Sequence, residues 1–113
     1  MNRSEFHTIK GSTADGDIVS ESMNPSFERG YLSVVFYTDS TLSTLVTPTA
    51  GSITFTASET GTGYGSINDG VIDATLEDYN RPNFSGYVTR VKATLTSVAG
   101  AGYFVATVAR YGG

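Results

Sequence analysis

The sequence contains no cysteine, no tryptophan, one histidine and three prolines in 113 residues, and each shortage closes off a class of chemistry. Without Cys there are no disulfides, thiolate metal sites, iron–sulfur clusters or thiol nucleophiles. Nor does the chain carry a mark of an oxidising compartment. The single His, His7, lies near the start, so neither a Ser-His-Asp triad nor a zinc site of several imidazoles is expected. Charge is scarce too: Asp, Glu, Lys and Arg make up 16%, against about a quarter in an ordinary globular domain. No stretch approaches the roughly 18 apolar residues of a membrane helix. The first ten residues hold no apolar run of the kind a signal segment needs. The expectation is a chain made in a cytosol, with no membrane partner and no cofactor.

Hydroxyls and glycine fill the space that charge leaves: 16 Thr, 13 Ser and 13 Gly. A chain of 113 residues supports one hydrophobic core and no second. Thr suits pleated strands through its branched Cβ, while Gly and Ser supply turns. Apolar residues recur with period two. Leu32, Val34 and Phe36 share one side of a strand, as do Ile53, Phe55 and Ala57, with Ser52, Thr54 and Thr56 opposite. Ile72, Ala74 and Leu76 form another inward set, and so do Tyr87, Val91, Ala93 and Leu95, and finally Phe104, Ala106 and Val108. Weaker strands are expected near Phe6–Lys10, Asp17–Ser22 and Thr44–Thr47. Helix is limited to single turns after Asn24-Pro25 and near Thr75–Tyr79.

Asn68-Asp69-Gly70 reads as a hairpin turn, because these residues tolerate positive φ. Ala99-Gly100-Ala101-Gly102 reads as the hairpin joining the last two long strands. Pro25, Pro48 and Pro82 mark breaks. Together these signals predict an all-β fold: a single compact antiparallel β-sandwich or jelly-roll-like barrel of about six to eight strands. Residues 1–16 are either an N-terminal arm reaching a neighbour, through Phe6 and Ile9, or a strand of the domain itself. Residues 17–113 form the domain.

Charge is unevenly distributed. Residues 1–80 hold all 11 acids with Arg3, Lys10 and Arg29, whereas 81–113 hold Arg81, Arg90, Lys92 and Arg110 and no acid. Either this basic hairpin pairs with acidic strands within one fold, or it presents a basic face to an acidic face of another subunit. Four cations on an acidic chain make a poor footprint for nucleic acid. Gly61-Thr-Gly-Tyr-Gly65 lacks the Lys and the following helix of a phosphate-binding loop, and reads as a connection between strands. Asp69, Asp73, Glu77 and Asp78 match no calcium-loop spacing and read as solvated acids. The segment Asp78-Tyr-Asn-Arg-Pro-Asn-Phe-Ser-Gly-Tyr87 gathers Tyr79, Phe84 and Tyr87 around Arg81. It suits a protein or sugar contact, or else a plug at the end of the sandwich with Arg81 paired to Asp78.

The tail Gly86-Tyr-Val-Thr-Arg-Val-Lys-Ala-Thr-Leu-Thr-Ser-Val-Ala-Gly-Ala-Gly-Tyr-Phe-Val-Ala-Thr-Val-Ala-Arg-Tyr111 resembles the C-terminal hairpin of small structural proteins of tailed bacteriophages. Asp69-Gly-Val-Ile-Asp-Ala74 with Tyr79-Asn-Arg-Pro-Asn-Phe-Ser-Gly86 is similar to the same group. The resemblance implies a non-enzymatic virion component present in many copies, a capsid decoration (cement) protein or a head or tail accessory. Its implied partner is the major capsid protein or another virion protein, alongside self-association. The contact residues expected from the chain are Phe6, Ile9, Arg81, Arg90, Lys92 and Arg110. The alternative is a host-surface module that stacks glycans on Tyr64, Tyr79, Phe84 and Tyr87.

Overall fold

The computed structural model describes residues 4–112 as eight antiparallel strands with no helix among them. These are β1 (Ser4–Ser12), β2 (Asp17–Val19), β3 (Arg29–Tyr37), β4 (Ala50–Ser58), β5 (Gly65–Asp73), β6 (Asn83–Ser85), β7 (Arg90–Ala99) and β8 (Tyr103–Tyr111). Their order around the sheet is β1-β8-β3-β6-β5-β4-β7-β2. Two four-stranded layers face each other, and one residue pair, Asn68 with Asn83, joins them between β5 and β6. At the opposite seam the tight connection after Ser12 brings β2 against β1. There the Asp15 carboxylate accepts a hydrogen bond from the Ser12 amide at 3.0 Å. The result is an all-β, nearly closed barrel-like sheet, as the alternating pattern predicts.

The period-two residues meet inside. Leu32, Ile53, Phe55, Val91, Ala93, Phe104, Ala106 and Val108 are all fully buried, and the larger of them each stabilise the fold by about 1.5–3 kcal/mol. Thr and Ser take the outward places on β4 and β7, with Thr54 opposite Thr94 and Ser52 opposite Thr96. Residues 99–102 make the β7–β8 hairpin, as expected from Ala99-Gly100-Ala101-Gly102. The described part of residues 1–16 belongs to the sheet of its own domain. β1 pairs along its whole length with β8 and buries Ile9, while Phe6 stays 66% exposed on the outer side.

Three expectations are corrected. Asn68-Asp69-Gly70 lies inside β5, where Ile67–Gly70 stand opposite Phe55 alone. Asp69 does take φ of 54°, but the left-handed preference serves a bulge rather than a turn. That bulge carries Asn68 across to donate from Nδ2 to Asn83 Oδ1 at 3.1 Å. Leu76 falls beyond the end of β5 and is 55% exposed, and Tyr87 precedes β7 and is 65% exposed. Near Leu45 the chain makes only an isolated bridge to Tyr37.

Close approach also fixes two glycines. A Cβ at Gly30 would overlap the Phe84 ring. Gly51, with φ of 101°, sits on the bulge formed by Ser97 and Val98, and a Cβ there would stand 2.5 Å from Val98 Cα.

Candidate interaction surfaces

Arg110 is the largest fully buried side chain of the domain. Alternation on β8 places it inward beside Phe104, Ala106 and Val108. Its Nη1 donates to the Val88 carbonyl at 2.8 Å, Nη2 to the carbonyls of Phe27 and, at 3.5 Å, Gly86, and Nε to that of Arg29 at 3.2 Å. The guanidinium also stacks 5.1 Å from the centre of the Phe84 ring. Burial pushes its pKa down, and the charge of Glu5, its cross-strand partner, pushes it back up. Arg110 therefore ties β3, the chain ahead of it and the 86–88 segment together from within. The expectation that it is a surface contact is corrected.

The other predicted contacts divide. Arg90 and Lys92 do lie on the outer side of β7, both half-buried. Arg90 Nη1 donates to the Ser20 carbonyl at 3.0 Å, and Lys92 Nζ rests 4.5 Å from the centre of the Tyr64 ring. Arg81 is exposed, 5.7 Å from the centre of the Tyr31 ring, rather than in an ion pair with Asp78. Among the described residues no Lys or Arg pairs with a carboxylate, and the His7 ring hydrogen-bonds with the carboxylates of Glu5 and, at 3.0 Å, Glu21.

The aromatic segment does not present one platform. Phe84 is buried beneath Arg110, as the plug reading expects of it, and is corrected only as a contact or glycan platform. Tyr79 turns inward: its hydroxyl accepts from the Val34 amide at 2.9 Å and donates to the Val34 carbonyl at 3.3 Å. One side chain thus closes the edge of β3 where β6 has already ended. Tyr64 is half-buried, and of these four rings Tyr87 alone is exposed.

Two surfaces take shape only in the fold, the first around Phe6, an expected contact that is exposed, whereas Ile9, expected beside it, is corrected to a core residue. The first is the outer face of β1, β8 and β3. Cross-strand rows set Phe6 beside Ala109 and Tyr31, Lys10 beside Val105 and Val35, and Ser4 beside Tyr111 and Arg29. The face carries cations and aromatic rings but no carboxylate among its described outward residues. A signal for it was present in Val34-Val35-Phe36-Tyr37 and Tyr103-Phe104-Val105, which are apolar on both sides of the strand.

The second surface is an apolar groove of about 350 Å³ between the edge of β3 and the end of β5. Val34, Phe36, Ile72 and Tyr79 line it, and Leu45 and Leu76, 65% and 55% exposed, stand at its mouth. Beside it Asp69, Asp73 and Asp78 border an adjoining cleft that shares Ile72, Leu76 and Tyr79. The Thr75 hydroxyl and amide both donate to Asp73 and hold its carboxyl below the usual 3.8. Thr41 does the same for Asp39. These acids do not form a metal centre: no group of three or more potential ligands converges among the described residues.

The match of residues 8–111 to its family model places the chain in a family described as a domain of unknown function, DUF7265. No curated protein matches the chain. In fold it is similar to the SPBc2 prophage-derived protein YomS, with a TM-score of 0.61 and 13% identity, covering 99% of this chain and 96% of that one. It is also similar to a chain from Bacillus endospore appendages, which form disulfide-linked pili. There the TM-score is 0.53 and the identity 14%, covering 97% of this chain and 88% of that one. At these identities the likeness is one of fold.

Proposed function

We propose that the protein is a non-enzymatic structural subunit of a phage-derived particle, acting as a capsid decoration protein held by protein–protein contacts. The observation that carries this reading is the end-to-end fold likeness to a prophage-derived protein, with almost nothing left over on either chain. The surfaces agree with it. The outward strand faces are hydroxylated or aromatic and poor in charge, which lowers the desolvation cost of covering them with another protein. The likeness to a pilus-forming chain points the same way, towards repeated assembly. This chain has no cysteine, so its assembly cannot use disulfides, and many weak contacts acting together would serve in their place.

The test is to add purified protein to particles lacking it and measure occupancy by quantitative mass spectrometry. Saturable binding at a fixed ratio to the major capsid protein is expected. Arg81→Glu with Lys92→Glu should lower occupancy while leaving the melting temperature nearly unchanged, since neither side chain makes a hydrogen bond or ion pair among the described residues. Absence of the chain from native particles and no binding to stripped ones would refute the proposal.

A further inference from the structure

The outer face of β1, β8 and β3 and the groove between β3 and β5 are complementary to each other. On the outer face of β1, β8 and β3, Phe6 projects with 66% of its surface exposed. The cations of that face are Lys10 two residues along the same side of β1, Arg29 two strands away, and Arg81 over Tyr31 in Phe6's own row. Around the groove the chemistry is reversed: an apolar hollow with exposed Leu45 and Leu76 is lined in part by Glu77, and the cleft adjoining it carries Asp69, Asp73 and Asp78. One side thus offers an exposed Phe on a face that carries cations and no carboxylate, and the other an apolar hollow beside a cleft of carboxylates.

We infer that two copies of this chain associate head to tail, Phe6 of one entering the groove between β3 and β5 of the next. The contact deepens the structural-subunit reading and rests on it. The size fits: a cavity of roughly 150 Å³ lined by aliphatic side chains already takes up benzene, and the groove holds about 350 Å³. The opposed charges fix the orientation and speed encounter. In this head-to-tail arrangement each contact uses the Phe6 of one copy and the groove of the next without reciprocation, so it is heterologous. It leaves one free knob and one free groove at the ends and propagates into a ring or a filament. A surface made of one knob and one groove is small, so each contact is weak and only its repetition in an array gives strong attachment.

The experiment is sedimentation velocity on the full chain from about 10 μM to about 1 mM, a range suited to a small interface. The wild type should gain mass with concentration. Phe6→Ser removes the knob and Leu76→Arg blocks the groove; both positions are exposed, so both variants should fold. Each alone should self-associate at least about 30-fold more weakly, the fold-change that corresponds to loss of an aromatic hot spot. Mixed together, the two variants should form a dimer and nothing larger, because the intact Phe6 of one meets the intact groove of the other. A wild-type monomer throughout, self-association that survives Phe6→Ser, or a mixture that stays monomeric would each overturn the contact. A chain that occupies particles yet stays monomeric would remove this contact and leave the structural role standing, whereas absence from particles would remove the role itself.

Discussion

Replacing Arg110 by Met keeps a long unbranched stem in the core and deletes the guanidinium. Four backbone carbonyls, those of Phe27, Arg29, Gly86 and Val88, then lose a charged donor inside the protein. Each hydrogen bond from a charged group is worth about 1.5–3 kcal/mol net, and a buried acceptor left unmade costs about 1–3 kcal/mol. Two of the four bonds are short and two are long, so the sum is nearer that of two full bonds, about 3–6 kcal/mol before any offset. The energy recovered by no longer burying a cation offsets part of this. For a domain of this size total stability is roughly 6–17 kcal/mol, so the loss is a large share of it. Urea unfolding followed by circular dichroism should show the midpoint falling by roughly 1.5–2.5 M, at a slope of about 2 kcal/mol/M. Arg110→Lys should fall between the two, since a single ammonium keeps the charge but cannot span the four carbonyls. A Met variant within 1 kcal/mol of wild type, taken as about the smallest loss that one such bond allows, would refute the view that this guanidinium anchors the end of the barrel.

Two further outcomes follow from single side chains. Tyr79→Phe deletes the hydroxyl that serves both the amide and the carbonyl of Val34; it should cost about 1–2 kcal/mol and speed hydrogen exchange at the Val34 amide, read by NMR. Asp39 and Asp73 have pKa values below their usual 3.8 because the hydroxyls and amides of Thr41 and Thr75 donate to them. Their ionised forms favour the fold, so this stability is present above about pH 4 and lost as the pH falls through the lowered values. The Asp39→Asn, Asp73→Asn double variant should therefore lose less melting temperature between about pH 5 and about pH 2 than wild type, as measured by differential scanning calorimetry.

How far the sequence went is clearest at particular residues. Alternation identified the inward sets of β3, β4, β7 and β8, because a strand with one buried face must place an apolar side chain at every second position. The Asn68-Asp69-Gly70 signal was read correctly as left-handed backbone and wrongly as a turn. Bulges and hairpins use the same φ, and only the register of β5 against β4 separates them. Arg110 went wrong for a related reason. Alternation marks its side of the strand as inward, but a cation in that place looks like a strand end until the fold shows four carbonyls converging on it.

Composition and spacing by themselves determined the all-β class, the single core and the absence of thiol chemistry, since these depend only on which residues are present and how they repeat. They also determined how few charges the chain carries. Tertiary structure alone decided that residues 4–12 close the sheet rather than reach away from it. It alone decided that Tyr79 and Phe84 turn inward while Phe6, Leu45 and Leu76 remain outside, and that cations and acids far apart in the chain collect around a knob and a groove. Each of these depends on which strands become neighbours, and neighbours across a sheet are set by long-range pairing that no local pattern encodes.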